Sequence, residues 1–209
     1  VMGEDCDIMA ARFGIKRADQ DAFAVRSHQL AAKAWDDGHL AKEVTAERVK
    51  QSLMLVNKHE KRDLLIHLVR ERQWFQVLVF SRTKHGADRL ARQLHAAGIS
   101  SAALHGDKAQ NARMRALDAF KAAKLQVLVA TDIAARGIDV QTISHAVNYD
   151  LPLQAEDYVH RIGRTGRAGR DGQAITLAVH AERHKVRRIE HFIGQAIPME
   201  TIPGLEPQR

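Results

Sequence analysis

The sequence predicts an α/β fold: a mostly parallel sheet with helices on both faces, preceded by a short helical appendage. Three observations carry that prediction. Short continuous apolar runs, VLVF at Val77–Phe80 and QVLVA at Gln126–Ala130, have the pattern of strands buried on both faces. Longer stretches place apolar residues at helical spacing, with Lys and Arg on the other side. The two kinds of segment alternate along most of the chain, the order that parallel sheets with right-handed crossovers require.

Composition narrows the classes. Of 209 residues, 45% are hydrophobic and 27% charged, enough apolar material for a core and too much for a disordered tail. The formal net charge of +7 is uneven. Residues 1–43 hold six Lys/Arg and eight Asp/Glu, so the remainder carries +9. That balance favours an anionic partner such as nucleic acid or nucleotide. The single cysteine, Cys6, excludes an internal disulfide, makes a Cys-based zinc site unexpected, and fits a reducing, cytoplasmic setting. No metal site is expected. No run of 18 apolar residues exists, so no membrane span is expected. The opening VMGEDCDIMA lacks the signal-peptide pattern, and Val1 reads as the start of a fragment.

Residues 1–43 read as an Ala-rich helical appendage, with Asp19 capping a helix over Asp21–Asp36 and Ala22, Phe23, Val25, Ala32 and Trp35 as partial apolar stripes. Residues 44–209 form the second domain. Val49–Val56 suits an entering strand, and Lys58–Arg72 an amphipathic helix with Leu64, Leu65, Leu68 and Val69 on one side. Val77–Phe80 is a buried strand that ends in Ser81-Arg82-Thr83. Lys84–Ala97 is a second amphipathic helix, stopped by Gly98. Ser101–Leu104 is a short strand left by His105-Gly106-Asp107. Ligands of parallel sheets bind beyond the carboxyl ends of strands, which makes both polar clusters candidates for a site.

A helix follows from Gln110 to about Ala123, with Gln110 and Arg113 on one face near its N-terminus, where phosphate is favoured. Gln126–Ala130 is the next strand, and ATDIAARGID follows directly at Ala130–Asp139. There Thr131 offers a hydroxyl, Gly137 a close backbone approach and Asp139 an acceptor for a sugar hydroxyl. Ala146–Tyr149 continues the sheet, and Glu156–Ile162 is a short helix. It delivers HRIGRTGRAG, where Arg161, Arg164 and Arg167 alternate with Gly163, Gly166 and Gly169. Arginine presents a planar fork of donors suited to phosphate oxygens. Ala174–Val179 and Glu182–Ile193 complete the alternation, and Thr201–Arg209 is expected to fray.

These segments resemble a known family. Residues 44–209 look like the second, C-terminal RecA-like domain of DEAD-box ATP-dependent RNA helicases, with the bacterial RhlE type as the nearest resemblance. VLVFSRT, HGDKAQNAR, ATDIAARGID, VNYDLP and HRIGRTGRAG match five of the family's motifs in the family's order. The resemblance implies that Arg164 and Arg167 are arginine fingers on the γ-phosphate of ATP. It implies that Gly137 and Asp139 contact that ATP, and that His160 and Arg161 couple two domains. Thr83, Gly106, Gln110, Arg113 and Thr131 would line a single-stranded RNA backbone. The G-x-x-x-x-G-K-[ST] phosphate loop and the Asp-Glu-Ala-Asp sequence do not occur. The implied partner is therefore the family's N-terminal RecA-like domain, missing here, with its Mg²⁺ ligands. This chain alone is expected to hydrolyse no ATP. The alternative reading is a non-catalytic RNA-binding module.

Residues 1–43 resemble a different family. MGEDCDIMAARFGIKRADQDAFAVRSHQLAAKAWDDGHL is similar to the loop-domain segment of thiolases, the acyl-CoA acyltransferases. Val1 stands where thiolases usually have His, and the family's nucleophilic Cys region and its Gly-His-Pro and Cys-Gly motifs have no counterpart. An acyl-CoA transferase fragment is thus a distant third reading, and no such activity is expected.

Overall fold

The computed structural model describes residues 18, 19, 21, 22, 25, 26, 29, 49–136, 138, 140–167 and 171–204. The chain divides into two compact units, Val1–Thr45 and Ala46–Arg209. In the first, every described residue is helical and exposed, Val25 included. Asp19 is itself helical, where the sequence placed it as a cap. Phe23, His28, Ala32 and Trp35 lie outside the described residues.

The second unit is built from six strands and six helices among the described residues. In chain order they are β1 (Val49–Leu55), α1 (Lys61–Glu71), β2 (Val77–Phe80), α2 (Lys84–Ala96), β3 (Ser101–Leu104), α3 (Gln110–Lys121), β4 (Val127–Ala130), α4 (Asp132–Ala135), β5 (His145–Asn148), α5 (Ala155–Ile162), β6 (Gly172–Ala178) and α6 (Arg183–Ile193). A short 3₁₀ turn, His180–Glu182, leads into α6. The strands form one sheet in the order β1-β6-β5-β2-β4-β3, and every pairing of these strands is parallel. The predicted α/β architecture is therefore observed, with a fully rather than mostly parallel sheet.

Period-two alternation sorts the core onto two faces. Val77, Val79, Val127, Val129, Val147, Ile175 and Leu177 pack against α1 and α2 through Leu64, Leu65, Leu68, Leu90 and Leu94. Their sequence neighbours point the other way. Leu78, Phe80, Leu128, Ala130 and Ala146 meet α3 and α4 through Phe120, Ala134 and Ala135. On that same face Leu53, Ala174 and Ala178 meet Tyr158, Ile162, Val186 and Ile189 of α5 and α6. Each fully buried Val, Leu or Ile contributes about 1.5–3 kcal/mol relative to exposure. The apolar runs are thus continuous in sequence because both faces are covered.

Some boundaries differ from expectation. α1 starts at Lys61 rather than Lys58, because Asn57 turns the chain: its Nδ2 donates to Glu60 Oε2 at 3.0 Å and its carbonyl accepts from Glu60 N at 3.0 Å. Lys61, read as part of the polar side of this helix, is buried beside Leu64 and Leu65. The four-residue α4 carries no sequence signal long enough to predict it. After α6, Leu53 N donates to Pro198 O and Glu200 N to Leu53 O, each at 2.8 Å, so residues 198–200 flank the β1 edge. Ile202 packs on the α1/α2 core, which anchors part of the segment expected to fray; residues 205–209 lie outside the described residues.

Candidate functional site

The predicted site residues that the structure describes fall into two clusters, one leading from α5 into the start of β6 and one just beyond the carboxyl ends of β2, β3 and β4. The first is the arginine stretch. α5 is strongly amphipathic: Tyr158, Arg161 and Ile162 are buried while His160 is exposed. Arg161 is 2% exposed and spends its donors inside the domain. Its Nε and Nη2 grip Asp132 Oδ1 and Oδ2 at 2.6 and 2.9 Å. Its Nη1 donates to Asn148 Oδ1 at 3.1 Å and to the Asp150 carbonyl at 2.6 Å. The guanidinium carbon also sits 5.1 Å from the Phe80 ring centroid, within range of a cation–π contact. One side chain thus ties α5 to the ends of β2, β4 and β5.

Beyond this anchor the chain turns sharply. Gly166 has φ +71°, a left-handed conformation that costs glycine nothing. A Cβ on Gly172 would lie 2.3 Å from Gly166 N, so the start of β6 must also be glycine for the turn to close against it. Thr165, 2% exposed, directs its hydroxyl at the Ile143 and Ser144 carbonyls at 2.7 and 2.9 Å. Arg167 Nε donates to the Gly163 carbonyl at 2.8 Å. Arg164, half-buried, directs Nη1 at the Ile138 carbonyl at 3.3 Å. That contact brings the arginine stretch against the ATDIAARGID segment. Gly137 and Asp139, which flank Ile138, lie outside the described residues, as does Gly169. His160, Asp132, Asp157 and Arg136 share a small niche with Arg164, and Arg136 pairs with Asp157 at 3.1 Å.

The second cluster holds Thr83, Gly106, Gln110, Arg113 and Thr131. Thr83 caps α2, its Oγ1 accepting from Gly86 N at 3.0 Å. The loop after β3 is strapped to α2 by carboxylates. Lys84 meets Asp107 at 2.6 Å, Lys108 meets Asp88 at 2.8 Å, and His105 Nε2 lies 3.0 Å from Asp88 Oδ2. Burial acts to raise the Asp88 carboxyl, but Lys108 and His105 outweigh it and hold it below the usual carboxylate range. These contacts set Gly106 beside the start of α2, with Lys84 Cε 4.0 Å from where a Cβ on Gly106 would be. Gln110 and Arg113 occupy the first turn of α3, joined by Arg113 Nη1 to Gln110 Oε1 at 3.1 Å. Thr131 N donates to the Leu104 carbonyl at 3.2 Å, which draws the ends of β3 and β4 together. Thr131 and Asp132 are adjacent in sequence, so one peptide joins this cluster to the Arg161 anchor.

Three residues that shape the edge were missed in the sequence. Asp132 and Asn148 orient Arg161, and no pattern in their segments marks them. Lys61 did leave a signal, because it lies three and four residues from Leu64 and Leu65 and so shares their face. Its Nζ donates to the Tyr149 carbonyl at 3.0 Å and lies 3.5 Å from Glu182. Burial pulls its ammonium below the usual lysine range, against the opposing pull of Glu182 and Asp150.

Comparison with known proteins agrees with this geometry. The family model described as "Helicase conserved C-terminal domain" matches residues 60–169. A model described as "Thiolase, N-terminal domain" matches residues 1–68, a stretch that includes β1 and most of α1 of the sheet domain. The chain is 43% identical over 158 residues to the ATP-dependent rRNA helicase RRP3 of Saccharomyces cerevisiae (strain YJM789), covering 76% of this chain and 32% of that protein. It spans about a third of the length of such curated relatives. Among solved structures, the E. coli DEAD-box protein SrmB bound to regulator of ribonuclease activity A superposes with a TM-score of 0.73 at 35% identity, over 77% of this chain and 95% of that one. S. cerevisiae Dbp5 bound to RNA and ADP BeF3 gives 0.68 at 34% identity, over 77% and 42%. The sheet is therefore RecA-like, and the chain belongs to the helicase conserved C-terminal domain family, as a C-terminal domain of the DEAD-box type.

Proposed function

We propose that residues 46–209 act as the second domain of an ATP-dependent DEAD-box RNA helicase. They hold a single-stranded RNA backbone on one cluster and present Arg164 and Arg167 to ATP from the other. The observation that carries this reading is the Arg164–Ile138 contact, 3.3 Å long, which sets the arginine fork against the segment of Gly137 and Asp139. A plain RNA binder has no use for the ribose acceptor that the family resemblance assigns to Asp139. Arg161, locked by Asp132 and Asn148, serves to hold that fork in place. His160, exposed on the same niche, is open to a second domain, which supports its coupling role.

The chemistry assigned to the arginines is charge neutralisation of a largely dissociative phosphoryl-transfer transition state, worth about 10³–10⁵ in rate. Thr83, Gly106, Gln110, Arg113 and Thr131 contact phosphate and sugar, so RNA binding is insensitive to base sequence and sensitive to salt. The phosphate loop and Asp-Glu-Ala-Asp sequence are not in these 209 residues, so the grip on ATP comes from an N-terminal RecA-like domain. The Mg²⁺ that accompanies ATP is assigned to that N-terminal domain; among the described residues no group of three or more His, Cys, Asp or Glu is placed to hold a metal ion. Also among them, no helix is long and apolar enough to cross a membrane. The single cysteine supports a cytoplasmic setting. The finer kinship we assign is the bacterial RhlE type, on the five motifs quoted above. For residues 1–43 it is a thiolase-derived segment with no acyl transfer, on the wording of MGEDCDIMAARFGIK.

The test is RNA-stimulated ATPase of this chain, alone and mixed with a separately expressed DEAD-box first domain. Hydrolysis is expected only in the mixture, and Arg164→Ala should abolish it while changing RNA affinity less than about threefold. Steady hydrolysis by the chain alone would overturn the division of labour. Equal losses of RNA affinity and ATPase in Arg164→Ala would favour the RNA-binding module instead.

A further inference from the structure

A second basic feature adjoins the cluster of Thr83. β2 and β5 are neighbours in the sheet, yet their following connections leave in opposite directions. α2 runs from β2 toward β3 on one face, and α5 runs from β5 toward β6 on the other. Loops that diverge in this way open a crevice at the carboxyl edge, which is where open α/β sheets take ligands. Here the crevice is a cavity of about 560 Å³.

Its lining is strongly cationic. Lys58 comes from the loop before α1, Lys61 and Arg62 from the first turn of α1, Arg82 from the loop after β2, and Arg89 from α2. Two carboxylates line it, Asp150 and Glu182, and both are already engaged. Asp150 Oδ2 accepts from Ser81 Oγ at 3.2 Å and from Arg82 N at 3.0 Å. Glu182 lies 3.5 Å from Lys61 and 3.4 Å from Arg82, and its Oε2 accepts from Val179 N at 3.3 Å. Arg62 has a partner on the rim, Asp63 at 2.7 Å. Lys58 and Arg89 are exposed and both line the cavity, one from the loop before α1 and one from α2. Five cations face two committed carboxylates, so the crevice holds a surplus of positive charge in a concave, partly desolvated space. That combination selects a compact anion of high charge.

We propose that this crevice binds phosphate oxyanions, with Lys58 and Arg89 as the gripping groups and buried Lys61 as a fixed charge behind them. Thr83 lines the same cavity, so a chain of phosphodiesters leaving the RNA cluster would enter it directly. That source rests on the RNA reading above. A free polyphosphate offers the same chemistry without it.

The experiment uses the full chain and a Lys58→Ala/Arg89→Ala variant. A Lys121→Ala/Lys124→Ala variant, with two exposed lysines removed at the far end of α3, controls for lost net charge. Binding of a 12-nucleotide oligo-uridylate is measured across a salt series, and binding of tripolyphosphate by calorimetry. The crevice variant should bind the oligonucleotide about three- to tenfold more weakly, with its salt slope reduced by about 1.4 for two lost phosphate contacts. The control should move much less. Loss of tripolyphosphate binding with unchanged RNA affinity would support the crevice with a free polyphosphate as its source. If the parent chain binds no RNA but binds tripolyphosphate through Lys58 and Arg89, the RNA reading fails and the crevice stands. If RNA affinity of the crevice variant equals that of the control and tripolyphosphate does not bind, the proposal is overturned.

Discussion

Replacing Arg161 should unfold the domain more readily even when no second domain is present. Its guanidinium is 2% exposed, and it is gripped by Asp132, Asn148 and a backbone carbonyl. Truncation to Ala leaves Asn148 Oδ1 buried without this donor, and strips Asp132 of both its short contacts. Asn148 is fully buried, so water cannot replace the lost bond without opening the core. Breaking a fully buried ion pair costs about 3–5 kcal/mol, and because the Asp132 side chain keeps 30% exposure the loss here should be about 2–4 kcal/mol. For a domain of this size each kcal/mol lowers Tm by about 2–4 °C, so the midpoint should fall by about 4–16 °C. Arg161→Lys keeps the charge but cannot reach Asp132 and Asn148 together, and should recover less than half of the loss. Urea unfolding of Arg161→Ala, Asp132→Asn and the double variant forms the cycle that isolates the pair. A coupling above about 1.5 kcal/mol is expected, with unchanged m-values. Arg161→Ala with wild-type stability in the isolated chain, or a coupling under about 0.5 kcal/mol, would refute the anchor. It would leave Arg161 to act only across an interface.

Three further outcomes test other parts of the domain. His145 is stacked on Trp74 at 4.2 Å, and burial pulls its imidazole from 6.5 to about 4, with a smaller opposing pull from Gln173. The unfolded chain therefore takes up a proton that the folded chain refuses. Stability is fully present above pH 6.5 and falls as pH drops from there to 4, by about 2 kcal/mol after screening at this partly exposed ring. In His145→Gln the urea midpoint should fall less over that range, and an unchanged pH profile would count against the assignment. Gly172→Ala drives a methyl to within 2.3 Å of Gly166 N, so it should destabilise by about 1–3 kcal/mol or more. It should also depress ATPase in the two-domain mixture, because the turn holding Arg164 and Arg167 must shift; full activity would show that the turn tolerates displacement. Thr165→Val keeps the shape and removes the hydroxyl that serves two buried carbonyls, at a cost of about 1–2 kcal/mol in chemical denaturation. A neutral result would mean that the carbonyls find other donors.

The architecture was legible because each of its devices is local. VLVF and QVLVA must be strands covered on both faces, and they are. Leu90 and Leu94 predict the inner side of α2, and both are buried. Gln110 and Arg113, three apart on one helix, could be placed together from spacing alone, and the structure joins them at 3.1 Å. Lys61 was misread because a cation is assumed to seek solvent; its apolar neighbours place it inward, and the carbonyl of Tyr149, 88 residues away, makes that tolerable. The short α4 was missed because four residues hold no period.

What the chain determines by itself is therefore the alternation of elements, the identity of the polar loops at the carboxyl edge, and the presence of arginine forks among glycines. Those follow from side-chain periodicity and backbone freedom, which act within a few residues. Tertiary structure decided which arginine is buried and what each one touches. Arg161 and Arg164 are indistinguishable in the sequence RIGRTGR, yet one is buried against Asp132 and Asn148 and the other is half-buried and reaches the Ile138 carbonyl. The difference arises because α5 turns one of them toward the ends of β4 and β5, strands that flank β2 only once the sheet has formed. Charge takes its role from its partners, and partners far apart along the chain are set by packing.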